Sequence, residues 1–306
     1  MSLSRFEYLE IGEKRQAVLR AQPATRPAAL PRTRFRAKEV IGRFGSELGE
    51  FCAPGGVAVD KEGNLYVADT YNHRLQKITP EGDVYGYFVR GNLPGCLLHP
   101  QGVAVDSLGH IYVIEQGNAR LQKFNPEGKL LFSIAGPMEF LSPSAICLDR
   151  FHNIYIADCG AAEVKSYTAD GRKRLEFTCR LPLRGPQGVA CDGEGNLYVA
   201  DTFRSQIVKM DSTGEVLLRF GKEGVARGEM GLPQDLAVDI DGGLLVAELS
   251  NHRLQKFAKD GRSIAIFPGP RQGVSLNSPS GLAVDGAGNI YLADTLNHRI
   301  LVLRAA

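Results

Sequence analysis

The sequence predicts an all-β protein, a six-bladed β-propeller of four-stranded blades whose last blade is completed by an N-terminal strand. Three observations lead there. One short pattern recurs six times, anchored at Asp60, Asp106, Asp149, Asp192, Asp239 and Asp285, with intervals of 46, 43, 43, 47 and 46 residues. A repeat near 45 residues is that of a propeller blade. Each unit holds short β-prone runs between Gly- and Asn-bearing turns, and the two ends of the chain supply complementary parts of one unit.

The N-terminal part stands apart in charge. Residues 1–45 carry ten Lys or Arg against four Glu, which leaves the rest of the chain net acidic although the whole has a formal charge of +2. From Ser4 to Gln22 helix-forming residues carry an apolar set of Phe6, Leu9, Ala17 and Val18, and Pro23, Pro27 and Pro31 end any helix. Residues 1–33 read as a basic extension, either a tethered, partly helical segment or a frayed tail, and 34–306 as the propeller. Gly12 interrupts the weak apolar stripe, which argues against a membrane-surface helix.

Within a blade the first strand, such as Val57-Ala58-Val59, is apolar on both faces and suits a strand buried between neighbouring blades. Turns follow at Asp60-Lys61-Glu62-Gly63-Asn64, Asp192-Gly193-Glu194-Gly195-Asn196 and Asp285-Gly286-Ala287-Gly288-Asn289, where Gly or Asn tolerates positive φ and the Asp accepts a backbone hydrogen bond. An apolar strand comes next each time, so these are hairpins and not phosphate cradles, which need a helix N-terminus. The second strand, Leu65-Tyr66-Val67-Ala68 in the first blade, ends in an acid, and the third is Leu75-Gln76-Lys77-Ile78. The last blade stops after Ile300-Leu301-Val302-Leu303, without a fourth strand. Glu39-Val40-Ile41-Gly42-Arg43-Phe44-Gly45 aligns with the fourth-strand segment Glu215-Val216-Leu217-Leu218-Arg219-Phe220-Gly221, so residues 39–44 are expected to pair with 299–303 and close the ring.

The segments Asp69-Thr70-Tyr71-Asn72-His73-Arg74-Leu75-Gln76-Lys77, Glu248-Leu249-Ser250-Asn251-His252-Arg253-Leu254-Gln255-Lys256 and Asp294-Thr295-Leu296-Asn297-His298-Arg299-Ile300 resemble NHL repeats, in register with the strands around them. Blade 2 keeps Glu115, Asn118 and Arg120 but has Ala119 for the His; blades 3 and 4 drift to Ala161-Ala162-Glu163 and Arg204-Ser205-Gln206. The resemblance covers residues 38–306 and implies the six-bladed propeller of that family. Some NHL proteins bind single-stranded RNA across a strongly positive face, and others act in ubiquitin ligases through RING, B-box and coiled-coil segments. This net-acidic propeller carries none of those segments and offers few loop aromatics, so RNA is the outsider among its partners.

The length, 43% hydrophobic content and 35 Gly suit one large β domain. Cys147 and Cys191 fall on innermost strands, Cys159 follows a second strand, and Cys52, Cys96 and Cys179 fall in loops. Without a CxxC pair they read as reduced thiols of a reducing compartment. Glu7, Glu10 and Glu13 occupy the place where a signal peptide would have its apolar core, and no run reaches transmembrane length, so a cytoplasmic protein is expected.

Three residue sets invite a function. The second-strand acids Asp69, Glu115, Asp158, Asp201, Glu248 and Asp294, with Arg74, Arg120, Arg253 and Arg299, recur in nearly every blade, whereas an active site needs one constellation; they are expected to hold turns. The six histidines, His73, His99, His110, His152, His252 and His298, are dispersed over blades and faces, and a zinc site needs three or four about one ion. Lyases and lactonases of the related six-bladed group hold metals around the channel, but only His99 lies near that entrance here, so no metal, cofactor or catalytic residue is expected. The third set starts the innermost strands: Gly55, Gln101, Ser144, Gln187, Gln234 and Ser280, with Asp235 beside them. Such a ring suits either a water-filled pore or a small polar ligand. Arg180, Arg184 and Arg204 could join as a basic patch near the same mouth, and loops such as 90–99, 179–185 and 222–232 vary most, as recognition loops do. The leading expectation is a non-catalytic scaffold binding a protein or peptide; the alternative is a small-ligand binder, hydrolase or lyase using the channel mouth.

Overall fold

The computed structural model describes residues 35–305 apart from 89, 137 and 268–273. Six antiparallel sheets follow one another, and their first strands touch in cyclic order, the sixth against the first. Blade 1 is Pro54–Val59, Leu65–Asp69, Arg74–Ile78 and Val84–Tyr87; blade 2 is Pro100–Val105, Ile111–Glu115, Arg120–Phe124 and Leu130–Ile134. Blade 3 is Pro143–Leu148, Ile154–Asp158 and Glu163–Tyr167; blade 4 is Pro186–Cys191, Leu197–Asp201, Gln206–Met210 and Val216–Phe220. Blade 5 is Pro233–Val238, Leu244–Glu248, Arg253–Phe257 and Ser263–Phe267; blade 6 is Pro279–Val284, Asn289–Asp294 and Arg299–Ala305, joined by Phe35–Ile41.

The strand chemistry follows from this layering. Second strands of blades 1 to 5 are buried at every position, because each lies between two neighbouring sheets, which is why they read as unbroken apolar runs. Outer strands such as Val216–Phe220 alternate half-buried and exposed residues, as one-sided burial dictates. The first hairpins are pinned by their leading aspartates: Asp60 accepts the Asn64 backbone N–H at 2.8 Å, the Asn64 side-chain amide at 2.8 Å and the Tyr66 hydroxyl at 3.2 Å. Asp106, Asp149, Asp192 and Asp285 repeat that arrangement, while Asp239 instead bonds Lys256 at 2.5 Å.

The N-terminal strand closes blade 6 as expected, pairing Phe35 with Ala305 through to Ile41 with Ile300. Its extent differs: it covers Phe35–Ile41, because Gly42 turns away at φ +81°. The match of Gly45 with Gly221 is corrected at the same point. A Cβ on Gly42 would meet the Phe51 ring at 2.3 Å and one on Gly221 the Met230 methyl at 1.9 Å, so Gly42 is the partner of Gly221. Gly42/Gly45 and Gly221/Gly224 have the same spacing, which lets glycines coincide in two registers, and the buried plugs Phe51 and Met230 decide between them.

Blade 3 departs from four strands. Its outer segment makes an isolated bridge between Tyr167 and Lys173, and Leu175 is 84% exposed. Arg172-Lys173-Arg174-Leu175-Glu176 lacks alternation, and Arg174 turns inward to the Tyr155 hydroxyl at 2.6 Å. The helix expected over residues 4–22 lies outside the described residues. All six cysteines are free, and no helix among the described residues is long and apolar enough to cross a membrane.

Candidate functional site

Each second strand delivers its acid into a tight turn that ends in a left-handed residue, from φ 46° at Ala119 to 57° at Ala162. In blade 1 the fully buried Asp69 accepts the Cys52 N–H at 2.7 Å, the Asn72 amide at 2.8 Å, Arg74 Nε at 2.8 Å and Gln76 Nε2 at 3.1 Å. Glu115 and Glu248 gather the same four kinds of donor. Arg74 then donates to the carbonyls of Ser46, Glu47 and Glu50, Arg120 to Asn92, Leu93 and Cys96, and Arg253 to Val225, Ala226 and Glu229. Arg299 reaches Ser275 in the same manner. Acid and guanidinium together fasten the loop between fourth and first strands, and both are already paired.

Sequence reasoning missed the glutamine. Gln76, Gln122 and Gln255 donate to the acid and accept from Gly49, Gly95 and Gly228; the recurring Leu-Gln-Lys of the third strand was the available signal. Where it is replaced, the network changes. Asp158 pairs with Lys165 at 3.1 Å, and Asp201 with Arg204 at 2.7 Å.

The signature histidines are joints between blades. Nδ1 of His73 accepts the His99 N–H at 3.1 Å, Nδ1 of His252 that of Ser278 at 3.0 Å, and Nδ1 of His298 that of Ala53 at 3.0 Å, the last joining blade 6 to the segment that enters blade 1. The threonines of the same turns add a second tie, from Thr70 to the Pro100 carbonyl, Thr202 to Pro233 and Thr295 to Pro54. Burial, then the charges of His99 and Arg90, hold the His73 imidazole below its ordinary pKa. The histidines are less scattered than expected, since the His73 and His99 rings meet at 4.3 Å, yet no group of three or more potential metal ligands occurs among the described residues.

The channel-mouth ring does assemble. Gln101, Ser144, Gln187, Gln234 and Ser280 line one end of a channel enclosing about 270 Å³, with Asp235 just inside. Ser144 turns back onto the Ala157 and Pro186 carbonyls, the Ser280 hydroxyl meets that of Thr295 at 2.6 Å, and Gln187 donates to Cys159 Sγ. Further along, Cys147 and Cys191 bring their Sγ atoms to 2.8 Å, and burial pushes the Cys147 thiol well up. Asp235 is part-exposed among the channel-lining residues, and burial raises its pKa to about 7, partly opposed by the N–H groups of Leu282 and Leu236.

The expected basic patch is altered. Arg204 bonds Asp201 and the Pro182 carbonyl and so belongs to the turn of its blade, while Arg180 lies 4.0 Å from Glu215 and the Arg184 side chain is exposed. The mouth face is marked instead by apolar tips. Tyr71, Phe203 and Leu296, which hold the same turn position in blades 1, 4 and 6, are all more than half exposed, and Phe44, Leu48, Leu93 and Val225 stand out from the loops beside them. Leu141 is also exposed, whereas Phe51, Leu97 and Met230 are fully buried plugs.

The NHL repeat family model matches residues 51–78, 97–124, 230–257 and 276–303, which are blades 1, 2, 5 and 6. A stretch of 42 residues, 14% of this chain, is 50% identical to the B-box type zinc finger protein ncl-1 of Caenorhabditis elegans and spans 5% of that protein. Among solved structures, a streptogramin B lyase is similar with a TM-score of 0.66 and 14% identity, covering 89% of this chain and 98% of its own. A gluconolactonase from Xanthomonas campestris gives 0.67 and 18%, over 92% and 99% of the two chains. The PQQ-bound aldose sugar dehydrogenase of Streptomyces coelicolor gives 0.65 and 15%, over 94% and 100%. At these identities the likeness is one of fold.

Proposed function

The chain is an NHL-repeat six-bladed propeller, and on that premise we propose that it is a non-catalytic scaffold that binds a protein or peptide through its channel-mouth face. The observation that carries this reading is the set of exposed apolar side chains, Tyr71, Phe203 and Leu296, presented by turns that buried acids hold in place. Rigid aromatic and aliphatic anchors on a fixed scaffold lose little conformational entropy on docking. The repeated Asp, Glu and Arg residues support the same reading, because their hydrogen bonds already fasten loops. Six free thiols support a reducing compartment, which we take to be the cytoplasm.

The test replaces Tyr71, Phe203 and Leu296 together by Ser and compares capture of partners found with the unaltered protein. A control variant carries Leu108→Ser, Phe151→Ser and Ile240→Ser, three exposed tips of first hairpins at the opposite end. The mouth variant is expected to lose its partners by tenfold or more with an unchanged unfolding midpoint. Loss only in the opposite-end variant, or intact capture by the mouth variant, refutes the assignment. A second reading, a small-ligand site or hydrolase or lyase centre at the channel mouth, is favoured by the enclosed Asp235 and by the enzymes that share the fold.

A further inference from the structure

At the third position of the innermost strands the chain repeats Gly56, Gly102, Ala145, Gly188 and Gly281, and departs once, at Asp235. The small residues belong there because adjacent inner strands nearly touch. A Cβ on Gly281 would lie 2.2 Å from the Gly55 carbonyl oxygen, and one on Gly188 2.7 Å from the Asp235 Cα. Asp235 therefore sets a carboxylate at the narrow level of the channel, where every other blade offers a hydrogen or a methyl group. Its Oδ2 accepts the Leu282 N–H at 2.9 Å. Among the described residues it has no cationic partner, and no Lys, Arg or His of theirs lines the channel.

A carboxyl enclosed without a counter-charge is an expensive feature to build into one blade of six unless something supplies the charge. The surroundings limit what that is. Gln101 and Gln234 have no side-chain partner among the described residues, so neutral acceptors stand at the mouth, Gln234 next to Asp235 in its strand and Gln101 across the channel on blade 2, and Val105, Val238 and Val284 line the channel farther in. A calcium or magnesium ion takes six or more oxygens, usually with several carboxylates, whereas here there is one. A guanidinium pairs best with both oxygens of a carboxylate, and one is already held by Leu282. A primary ammonium carries one charge and three donors, which one carboxylate and amide oxygens satisfy.

We propose that the channel binds a primary alkylammonium group, with Asp235 as its counter-ion, the amides of Gln101 and Gln234 taking further N–H donors, and the alkyl chain lying along those valines. The inference goes beyond the docking surface, and its failure leaves that surface untouched, since the docking test alters Tyr71, Phe203 and Leu296. The same chemistry has two sources, a free amine and a lysine side chain of a polypeptide. Bound ammonium stabilises the ionised carboxyl, so a group that titrates near pH 7 releases a proton on binding.

The probes are n-butylammonium for a free amine, N-acetyl-lysine amide for a lysine side chain, and n-butanol as the uncharged control. For either amine, thermal unfolding is expected to rise by about 5 °C at a hundredfold excess over Kd. Titration calorimetry at pH 7 in buffers of different ionisation heat is expected to show release of about half a proton per ligand. Asp235→Asn keeps an acceptor for Leu282 and removes the charge, and is expected to weaken binding at least tenfold and abolish proton release. Asp235→Gly restores the repeat pattern and serves where the Asn variant does not fold. A response to N-acetyl-lysine amide alone supports the site and assigns it to polypeptide lysine. Binding of neither amine, equal binding by the Asp235 variants, or n-butanol matching n-butylammonium overturns the proposal.

Discussion

Replacing Glu115 by Ala and replacing Asp294 by Ala remove the same kind of turn carboxylate, yet their costs are expected to differ. Glu115 leaves four donors without their acceptor: the Leu98 N–H, the Asn118 amide, Arg120 Nε and Gln122 Nε2. Asp294 leaves three, the Asn277 N–H, the Asn297 amide and Arg299 Nε, because Leu301 stands where blades 1, 2 and 5 have Gln. The abandoned guanidinium also differs, since the Arg120 side chain is 6% exposed and that of Arg299 26%. Stranding a buried cation costs about 3–5 kcal/mol. Leaving half-exposed donors unpaired costs about 1–3 kcal/mol. The gap of about 2 kcal/mol corresponds to roughly 4–8 °C between the two thermal midpoints. Guanidinium and thermal unfolding of the two variants, with Glu115→Gln/Arg120→Met as a neutral pair that recovers part of the loss, measure it. Equal losses, or a larger one for Asp294→Ala, refute the reasoning.

The His73 joint makes stability depend on pH. Its folded pKa lies below the unfolded value of about 6.5, so the unfolded state takes the proton first; the contribution is complete above that pH and is lost as pH falls through and below it. Asp235 acts with the opposite sign, its raised pKa favouring the folded state as pH falls below about 7, so the His73 share is read as the difference between unaltered protein and His73→Ala at pH 7.5 and 5.5; identical profiles count against the joint. Deleting residues 1–34 is expected to leave the unfolding midpoint in place, whereas Phe35→Ala, at a residue 1% exposed within the closing strand, is expected to cost about 3–5 kcal/mol. A stable Phe35→Ala protein is evidence against closure by that strand. Cys147, its thiol pushed well up by burial, is expected to resist iodoacetamide at pH 8 until the protein is denatured, as peptide mapping will show.

The repeat was legible because it depends on local rules: Asp at a hairpin start, Gly or Asn in its turn, and a wholly apolar strand wherever a sheet is covered on both sides. The closing strand was legible in kind but misplaced by three residues, since glycine spacing alone does not separate Gly42 from Gly45; the burial of Phe51 does. The ring of Gln101, Gln187 and Gln234 came from strand starts alone, because position in a propeller fixes radial depth. Two features depended on side-chain contacts and stayed hidden. Gln76 reads as an ordinary strand residue until Gly49 and Asp69 are seen on either side of it. Arg204 reads as a free cation until Asp201, which lies three residues earlier, folds back against it.

The joints described above are unevenly shared around the ring. The junction between blades 6 and 1 carries both the His298 and the Thr295 tie, and that between blades 1 and 2 carries both His73 and Thr70. Between blades 2 and 3 and between blades 3 and 4 the corresponding residues are Ala119, Gln116, Ala162 and Cys159, none of which makes either tie. Blade 3 is also the one that lacks its outer strand. The covalent gap itself lies within blade 6, where Phe35–Ile41 pairs with Arg299–Ala305, while blade 3 keeps only substitute ties such as Ser144 to the Pro186 carbonyl. Amide exchange is therefore expected to be fastest around blade 3 rather than along the closing strand.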